Sequence, residues 1–303
     1  MTGSFLAPPV WTSEELTHER DKAEDSFRSQ RRDEGPARYA ATFNEVAPVV
    51  ADALARAELW GRDLENALLQ DDRLWHTLRY FCGPEISEED FWTLVGKKSR
   101  RMPSSVAGDA ANVLGELVDP FRLPWLAESR EPTTSELQAA ILATSTLVAH
   151  QRLRTERRGS AARRQEDDVA DSLLAAGYTR QPSVERRTIR LIDDLPRGVF
   201  AREQKIADAK CDVPVRLLDG RLLAIECKVS NGPKNSWKRL LREVGGKADK
   251  WRMSFGSHFI TGAVIAGVYD LKCLERAQQE HQVTLFWQHD LTKLADSVAS
   301  AVQ

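Results

Sequence analysis

Four acidic residues in this chain stand two positions before a lysine: Glu203 with Lys205, Asp208 with Lys210, Glu226 with Lys228, and Asp270 with Lys272. A carboxylate and an amine at that spacing can hold a metal ion and a water against a phosphodiester. Composition alone scatters such triplets, so the surroundings must choose among them. In Leu222 to Val229 the side chains Leu223, Ile225, Cys227 and Val229 form one apolar face, and Leu222, Ala224, Glu226 and Lys228 form the other, because successive residues alternate across a strand. The preceding stretch divides in the same way, with Val213, Val215 and Leu217 on one face and Asp212, Pro214 and Arg216 on the other. A rival set, Asp194, Glu203 and Lys205, lacks such a face, since Arg202 and Gln204 lie opposite Glu203 and Lys205.

The turn between the two stretches decides whether their acids meet. A two-residue Asp219-Gly220 loop pairs Leu218 with Arg221 and sets Asp212 opposite Cys227, leaving Asp212 and Glu226 on different faces. A three-residue loop, with Gly220 in the left-handed position, pairs Leu217 with Arg221 and Asp212 with Glu226. Only this register joins the two apolar faces into one core, and it is the one expected. The carboxylate-bearing side chains then start about 5 Å apart. Two carboxylates so close repel unless a cation lies between them, and hard oxygen ligands of this kind suit Mg²⁺. The expected centre is therefore Asp212, Glu226 and Lys228. The metal ligands are Asp212, Glu226 and the main-chain carbonyl of Cys227, with Glu203 as an outer supporting carboxylate. Lys228 orients or deprotonates the attacking water and balances developing negative charge. The chemistry is phosphodiester hydrolysis.

The elements that must carry this centre follow from periodicity. Residues 1–158 read as successive helices, with apolar residues three and four apart. Thr12 with Glu15, Ser87 with Asp90 and Thr133 with Glu136 mark helix starts, each a hydroxyl three residues before a carboxylate. After one further helix at 167–177, stretches 199–206, 212–217, 222–229, 259–269 and 283–288 read as strands, with helices over 236–255, 270–282 and 291–302. The fold class is α/β: a mixed sheet flanked by helices over 159–303, preceded by a mainly helical N-terminal half over 1–158.

The net charge of −2 is no signature of a polyanion-binding protein, but the cations are unevenly placed. Arg152, Arg154, Arg157, Arg158, Arg163 and Arg164 face one acid, Glu156, and eight basic residues between Lys228 and Arg252 face two. On the helix over 236–255, Trp237, Leu240, Leu241, Val244, Ala248 and Trp251 should face the core, with Lys238, Arg239, Arg242, Lys247 and Lys250 on the opposite side. Expected DNA contacts are Asn235, Ser236, Lys238, Arg239 and Arg242, the loop residues Lys97, Lys98, Arg100 and Arg101, and Arg154, Arg157 and Arg158. Gly245-Gly246 points to a close approach or a kink. Cys82, Cys211, Cys227 and Cys273 form no C-x-x-C pair and suit a reducing compartment, and the six histidines show no ligand spacing. There is no Walker loop and no dinucleotide glycine pattern. No apolar run is long enough for a bilayer, and the first residues do not read as a secretory signal, so a cytoplasmic protein without a membrane partner is expected.

The order strand with an acid, strand with Glu-x-Lys, helix, strand resembles the core of the PD-(D/E)XK nucleases, with Cys211-Asp212 in place of Pro-Asp. More specifically, IECKVSNGPKNSWKRLLREVGGKADKW (Ile225 to Trp251) is similar to the signature stretch of the XamI family of type II restriction endonucleases. The likeness extends to LRYFCGPEISEEDFWTLVG (Leu78 to Gly96), to PTTSE at Pro132 and to QRLRTERRG at Gln151. The resemblance implies a Mg²⁺-dependent homodimer that cuts double-stranded DNA at a short palindrome and is paired with a cognate DNA methyltransferase. It maps the metal ligands onto Asp212 and Glu226 and the catalytic lysine onto Lys228, and it would give the helical half over 1–158 DNA binding or dimerisation. Competing readings are a structure-selective repair or recombination nuclease, and a non-catalytic DNA-binding protein on a nuclease scaffold.

Overall fold

The computed structural model describes residues 7–57, 60, 63–183 and 187–301, apart from the side chains at 157, 158 and 160–162. The chain divides into two compact units, Glu34–Glu156 and a second made of Met1–Asp33 with Arg157–Gln303. This differs from the expected division at 158. The first helix, α1 (Ser13–Ser29), belongs with the sheet and not with the helical half: Leu16 and Ala23 of its buried stripe pack into the core formed by Ile265, Val283 and Trp287, and Glu19 between them pairs with His289. Trp11 just before it donates its indole N–H to the Leu285 carbonyl at 2.7 Å.

The unit Glu34–Glu156 is helical, as the periodicity requires. It holds α2 (Gly35–Arg56), α3 (Leu64–Gln70), α4 (Trp75–Leu78), α5 (Glu88–Val95), α6 (Ala107–Leu117), α7 (Pro124–Ala127) and the first part of α8 (Thr134–Ala175). Its core is built on Leu54, Leu68, Trp75, Phe81, Phe91, Leu114 and Trp125, with Trp75 and Phe91 stacked at 5.0 Å. All three expected capping boxes form, at Thr12 with Glu15, Ser87 with Asp90 and Thr133 with Glu136. The expected break near 158, with a new helix at 167, is corrected: α8 is one helix of 42 residues. Its run of Arg, Ala, Gln and Glu is made of strong helix formers, and Gly159 alone does not interrupt it.

The second unit is an α/β layer. A six-stranded sheet runs in the order β1 (Thr179–Arg180), β2 (Val199–Phe200), β5 (Val213–Arg216), β6 (Leu222–Asn231), β7 (Phe259–Val268) and β8 (Val283–Trp287). A separate hairpin pairs β3 (Gln204–Ile206) with β4 (Ala209–Cys211). The expected single strand over 199–206 is thus two, broken where Glu203 adopts φ +47°. The sheet is mixed: β5 and β6 are antiparallel, while β6, β7 and β8 are parallel. Helical path follows β6 through α9 (Pro233–Ser236), a π-helical segment Trp237–Gly245, and α10 (Gly246–Phe255); α11 (Leu271–Gln279) and α12 (Thr292–Ala299) follow β7 and β8. Among the described residues no helix is long and apolar enough to cross a membrane.

The strands β5 and β6 pair in the expected register. Val213 faces Ile225, Val215 faces Leu223 and Arg216 faces Leu222, which continues to Asp212 beside Glu226. The turn is the three-residue one. Leu217 N–H donates to the Arg221 carbonyl at 2.8 Å, and Gly220 N–H donates to the Leu217 carbonyl at 3.0 Å. Gly220 has φ +94°, and a Cβ there would meet the Arg197 guanidinium at 2.9 Å. The apolar faces merge as required: Val213, Val215, Leu217, Leu223, Ile225 and Cys227 share a core with Val169, Leu173, Phe200 and Phe286. The other face of β6 is also covered, since Leu222 and Ala224 pack with Ile206, Cys211, Trp251 and Phe259.

Candidate active site

Glu226 and Lys228 stand on one face of β6, above the Leu222 and Ala224 packing, and Asp212 sits at the bend between β4 and β5. Asp212 Oδ2 accepts from the Cys227 backbone N–H at 2.8 Å and from Lys228 Nζ at 2.8 Å. Lys228 Nζ also lies 2.8 Å from Glu226 Oε2, so one nitrogen bridges the two carboxylates. The site therefore already accommodates an atom-sized cationic centre between Asp212 and Glu226. In a strand the N–H and C=O of a residue point the same way, so the Cys227 carbonyl faces the Asp212 side as well. The Asp212 carbonyl is held by the Glu203 N–H at 2.8 Å, and the Lys228 carbonyl by the buried Tyr269 hydroxyl at 2.9 Å.

Glu226 is wholly buried, and burial pushes its carboxyl above the ordinary range; the Asp212 charge adds to this, while Lys228 and Lys247 oppose it. Burial pulls the Lys228 ammonium down, but Glu226 and Asp212 more than offset that and hold it above the ordinary lysine value. The two directions agree physically: the lysine has two anions beside it and a partly open end, whereas the glutamate is enclosed and carries a like charge as neighbour.

Lys247 was expected on the solvent side of its helix. Instead it turns inward, with Nζ 2.8 Å from each oxygen of Glu226 and 2.6 Å from the Lys210 carbonyl. The spacing held the signal: Lys247 lies three residues after buried Val244 and four before buried Trp251, on the same stripe as Leu240. Gly245 is explained by close approach of a side chain, since a Cβ there would meet the His281 ring at 2.8 Å. The helix is π-wound up to that glycine.

Other residues fall in different places. The Glu203 side chain is exposed and lies 3.7 Å from Lys210. Asp194 of the rival set caps the Arg190 and Leu191 N–H groups, and Asp270 caps α11. Ser236 is buried, its hydroxyl donating to the Pro233 carbonyl and accepting from the Asp270 N–H at 3.3 Å. Asn235 and Arg239 are half-buried, and Lys238 and Arg242 are exposed. In the helical unit Lys97, Lys98, Arg100 and Arg101 are exposed and line a cavity of about 1440 Å³ with Trp75 and Trp92. Arg154 is exposed; the side chains of Arg157 and Arg158 lie outside the described residues. Sequence reasoning also missed Glu166, which pairs with Arg202 at 2.9 Å. Burial raises its carboxyl, Arg202 opposes this, and the Asp212 charge adds to it. All four cysteines are buried and free.

The donor chemistry fits a hard divalent cation: two carboxylates and a backbone carbonyl, with Asp212 Oδ1 accepting no hydrogen bond among the described residues. Also among the described residues, no group of three or more His, Cys, Asp or Glu side chains is placed to hold a metal, so any remaining ligands would be water or substrate oxygens. The XamI restriction endonuclease family matches residues 61–287. The chain is 33% identical over 273 residues to the type II restriction enzyme XamI of Xanthomonas campestris pv. amaranthicola, a match covering 83% of this chain and 94% of that one. No solved structure matches it.

Proposed function

We propose, starting from the fact that this chain belongs to the XamI restriction endonuclease family, that it hydrolyses phosphodiester bonds of double-stranded DNA at a short palindromic site, with Mg²⁺ as cofactor. The observation that carries this reading is the bridged pair: Asp212, at the bend that enters β5, beside Glu226 on β6, with Lys228 Nζ 2.8 Å from an oxygen of each.

Asp212, Glu226 and the Cys227 carbonyl would hold the cation. When bound, it supplies a Lewis acid that withdraws charge from the scissile phosphate and acidifies the attacking water. Lys228 orients that water and balances the charge that builds on the phosphate. Tyr269 fixes the backbone of Lys228, and the Asp212 contact to the Cys227 N–H fixes the second carboxylate, so the framework beneath both groups is set before the reaction. Lys238 and Arg242, exposed on the helical path that leaves β6, would meet phosphates, and the exposed loop 97–101 would supply further cations in the helical unit. Two-fold symmetry of a palindrome favours a homodimer, each subunit cutting one strand. A nuclease of this kind needs its host's own sites protected, which favours pairing with a cognate methyltransferase.

The test is to incubate the protein with phage DNA and Mg²⁺ and to sequence the ends. Discrete fragments with constant ends support the reading. Preference for flaps or junctions, or fragments that an Asp212→Ala variant yields equally, would overturn it.

A further inference from the structure

The chemistry proposed above uses one lysine, and this site has two. Glu226, Asp212, Lys228 and Lys247 form a set of four charges that sums to zero, packed about a carboxylate with no solvent exposure. Lys247 spends its three ammonium hydrogens on Glu226 Oε1, Glu226 Oε2 and the Lys210 carbonyl. It thereby covers both oxygens that a cation would need. A divalent cation added to the set leaves it two charges positive, with like charges on one carboxylate. That conflict is relieved when Lys247 leaves and finds a new anion.

The structure gives Lys247 a way out that Lys228 lacks. The Lys247 side chain is 26% exposed, against 11% for Lys228. The backbone before it is π-helical, and a Cβ at its neighbour Gly246 would meet nothing within 4 Å. Such segments depart from the ordinary helical register and recur at functional positions. The anion that enters this site with the cation is the DNA phosphate.

We propose that Lys247 is a tethered counter-ion: in the metal-free enzyme it holds the Glu226 carboxylate closed, and it passes to a DNA phosphate as cation and substrate enter together. The inference rests on the metal-dependent reading above. It makes cation and DNA binding mutually favourable, because each removes an obstacle to the other, and such coupling is reciprocal. Free enzyme then binds the cation weakly and engages it fully only on DNA.

The experiment is calorimetric titration of the full-length protein with Ca²⁺, with and without a duplex carrying its site, for wild type, Lys247→Gln and Lys247→Arg. Gln keeps donors toward Glu226 but removes the charge, so without DNA it should bind Ca²⁺ about tenfold or more tighter than wild type, by the size of a like-charge effect at a carboxylate. Arg should remain as weak as wild type. The gain in Ca²⁺ affinity on adding DNA should shrink in the Gln variant. Equal or weaker binding by a folded Gln variant overturns the proposal. A second measurement uses wild type alone: amine acetylation read by mass spectrometry should be slow at Lys247 in the free enzyme, rise with Ca²⁺ relative to exposed Lys250, and fall again with Ca²⁺ and DNA. Unchanged Lys247 labelling on adding Ca²⁺ also overturns it. Failure of wild type to bind any divalent cation or to cut with Mg²⁺ would remove the functional reading itself, whereas normal cutting with unaltered Lys247 behaviour removes only this inference.

Discussion

Replacing Glu226 by Ala strips the site of its fully enclosed anion, and the cost follows from what is left behind. Lys228 keeps only the Asp212 carboxylate, and Lys247 keeps no anion, only the Lys210 carbonyl and the Trp251 ring 5.8 Å away. Breaking a buried ion pair by removing one partner costs about 3–5 kcal/mol, because the remaining charge stays desolvated. Lys247 is partly open and can turn to water, and Lys228 retains one carboxylate, so the lower end of that range, about 3 kcal/mol, is expected. Removing Glu226 and Lys247 together, as Glu226→Met with Lys247→Met, should recover most of the loss, since the charge stranded by the first change is gone. Hydrogen exchange at the β6 amides under native conditions is the suitable assay: it reports the opening of this sheet and is insensitive to separate melting of the helical unit. A Glu226→Ala protein with wild-type protection on β6, or a double variant no better than the single one, would refute the account of Glu226 as the shared partner of two ammoniums.

Lys228→Ala should abolish cutting in Mg²⁺ while gel-shift affinity for the target stays largely intact; equal cutting would reject the site. Because burial raises the Glu226 carboxyl, folding takes up a proton between the ordinary and the raised value. That contribution to stability is fully present below the ordinary value and lost as pH rises through the raised one. Glu226→Gln should therefore flatten unfolding free energy against pH across that window, and a slope like that of wild type would contradict the burial argument. Gly220→Val places a β-branched residue at φ +94° against Arg197 and should destabilise the β5–β6 turn by about 1–3 kcal/mol, seen as a lower urea midpoint. No change in that midpoint would mean that the turn relaxes freely.

How far the chain could be read depended on whether a local rule was left alone by its surroundings. The β5–β6 register was legible because alternation and turn chemistry agree: only the Gly220 bulge puts Val213, Val215 and Leu217 on the same side as Leu223, Ile225 and Cys227. The helix caps were legible for the same reason, each being a contact between residues three apart. Lys247 was misplaced because its charge outweighed its position on the buried stripe; an amine there stays inside only because Glu226, far away in sequence, waits for it. Ser236 was assigned to DNA from its neighbours, whereas its hydroxyl bonds to Pro233 and Asp270. The β3–β4 hairpin was hidden because Glu203 breaks the strand with a positive φ that its side chain does not announce. The break in α8 was read from a change in composition that arginine-rich helix formers easily span.

The place of α1 bears on how this protein comes off the ribosome. Its Leu16 and Ala23 pack against Val283, Leu285 and Trp287, and the helical unit Glu34–Glu156 lies between them in the chain. At about 5–20 residues per second, α1 is exposed for tens of seconds before β8 is made. The helical unit has all its residues early and can fold in that interval. The sheet unit cannot close until β8 has emerged, so the nascent chain carries an incomplete sheet until that strand is made.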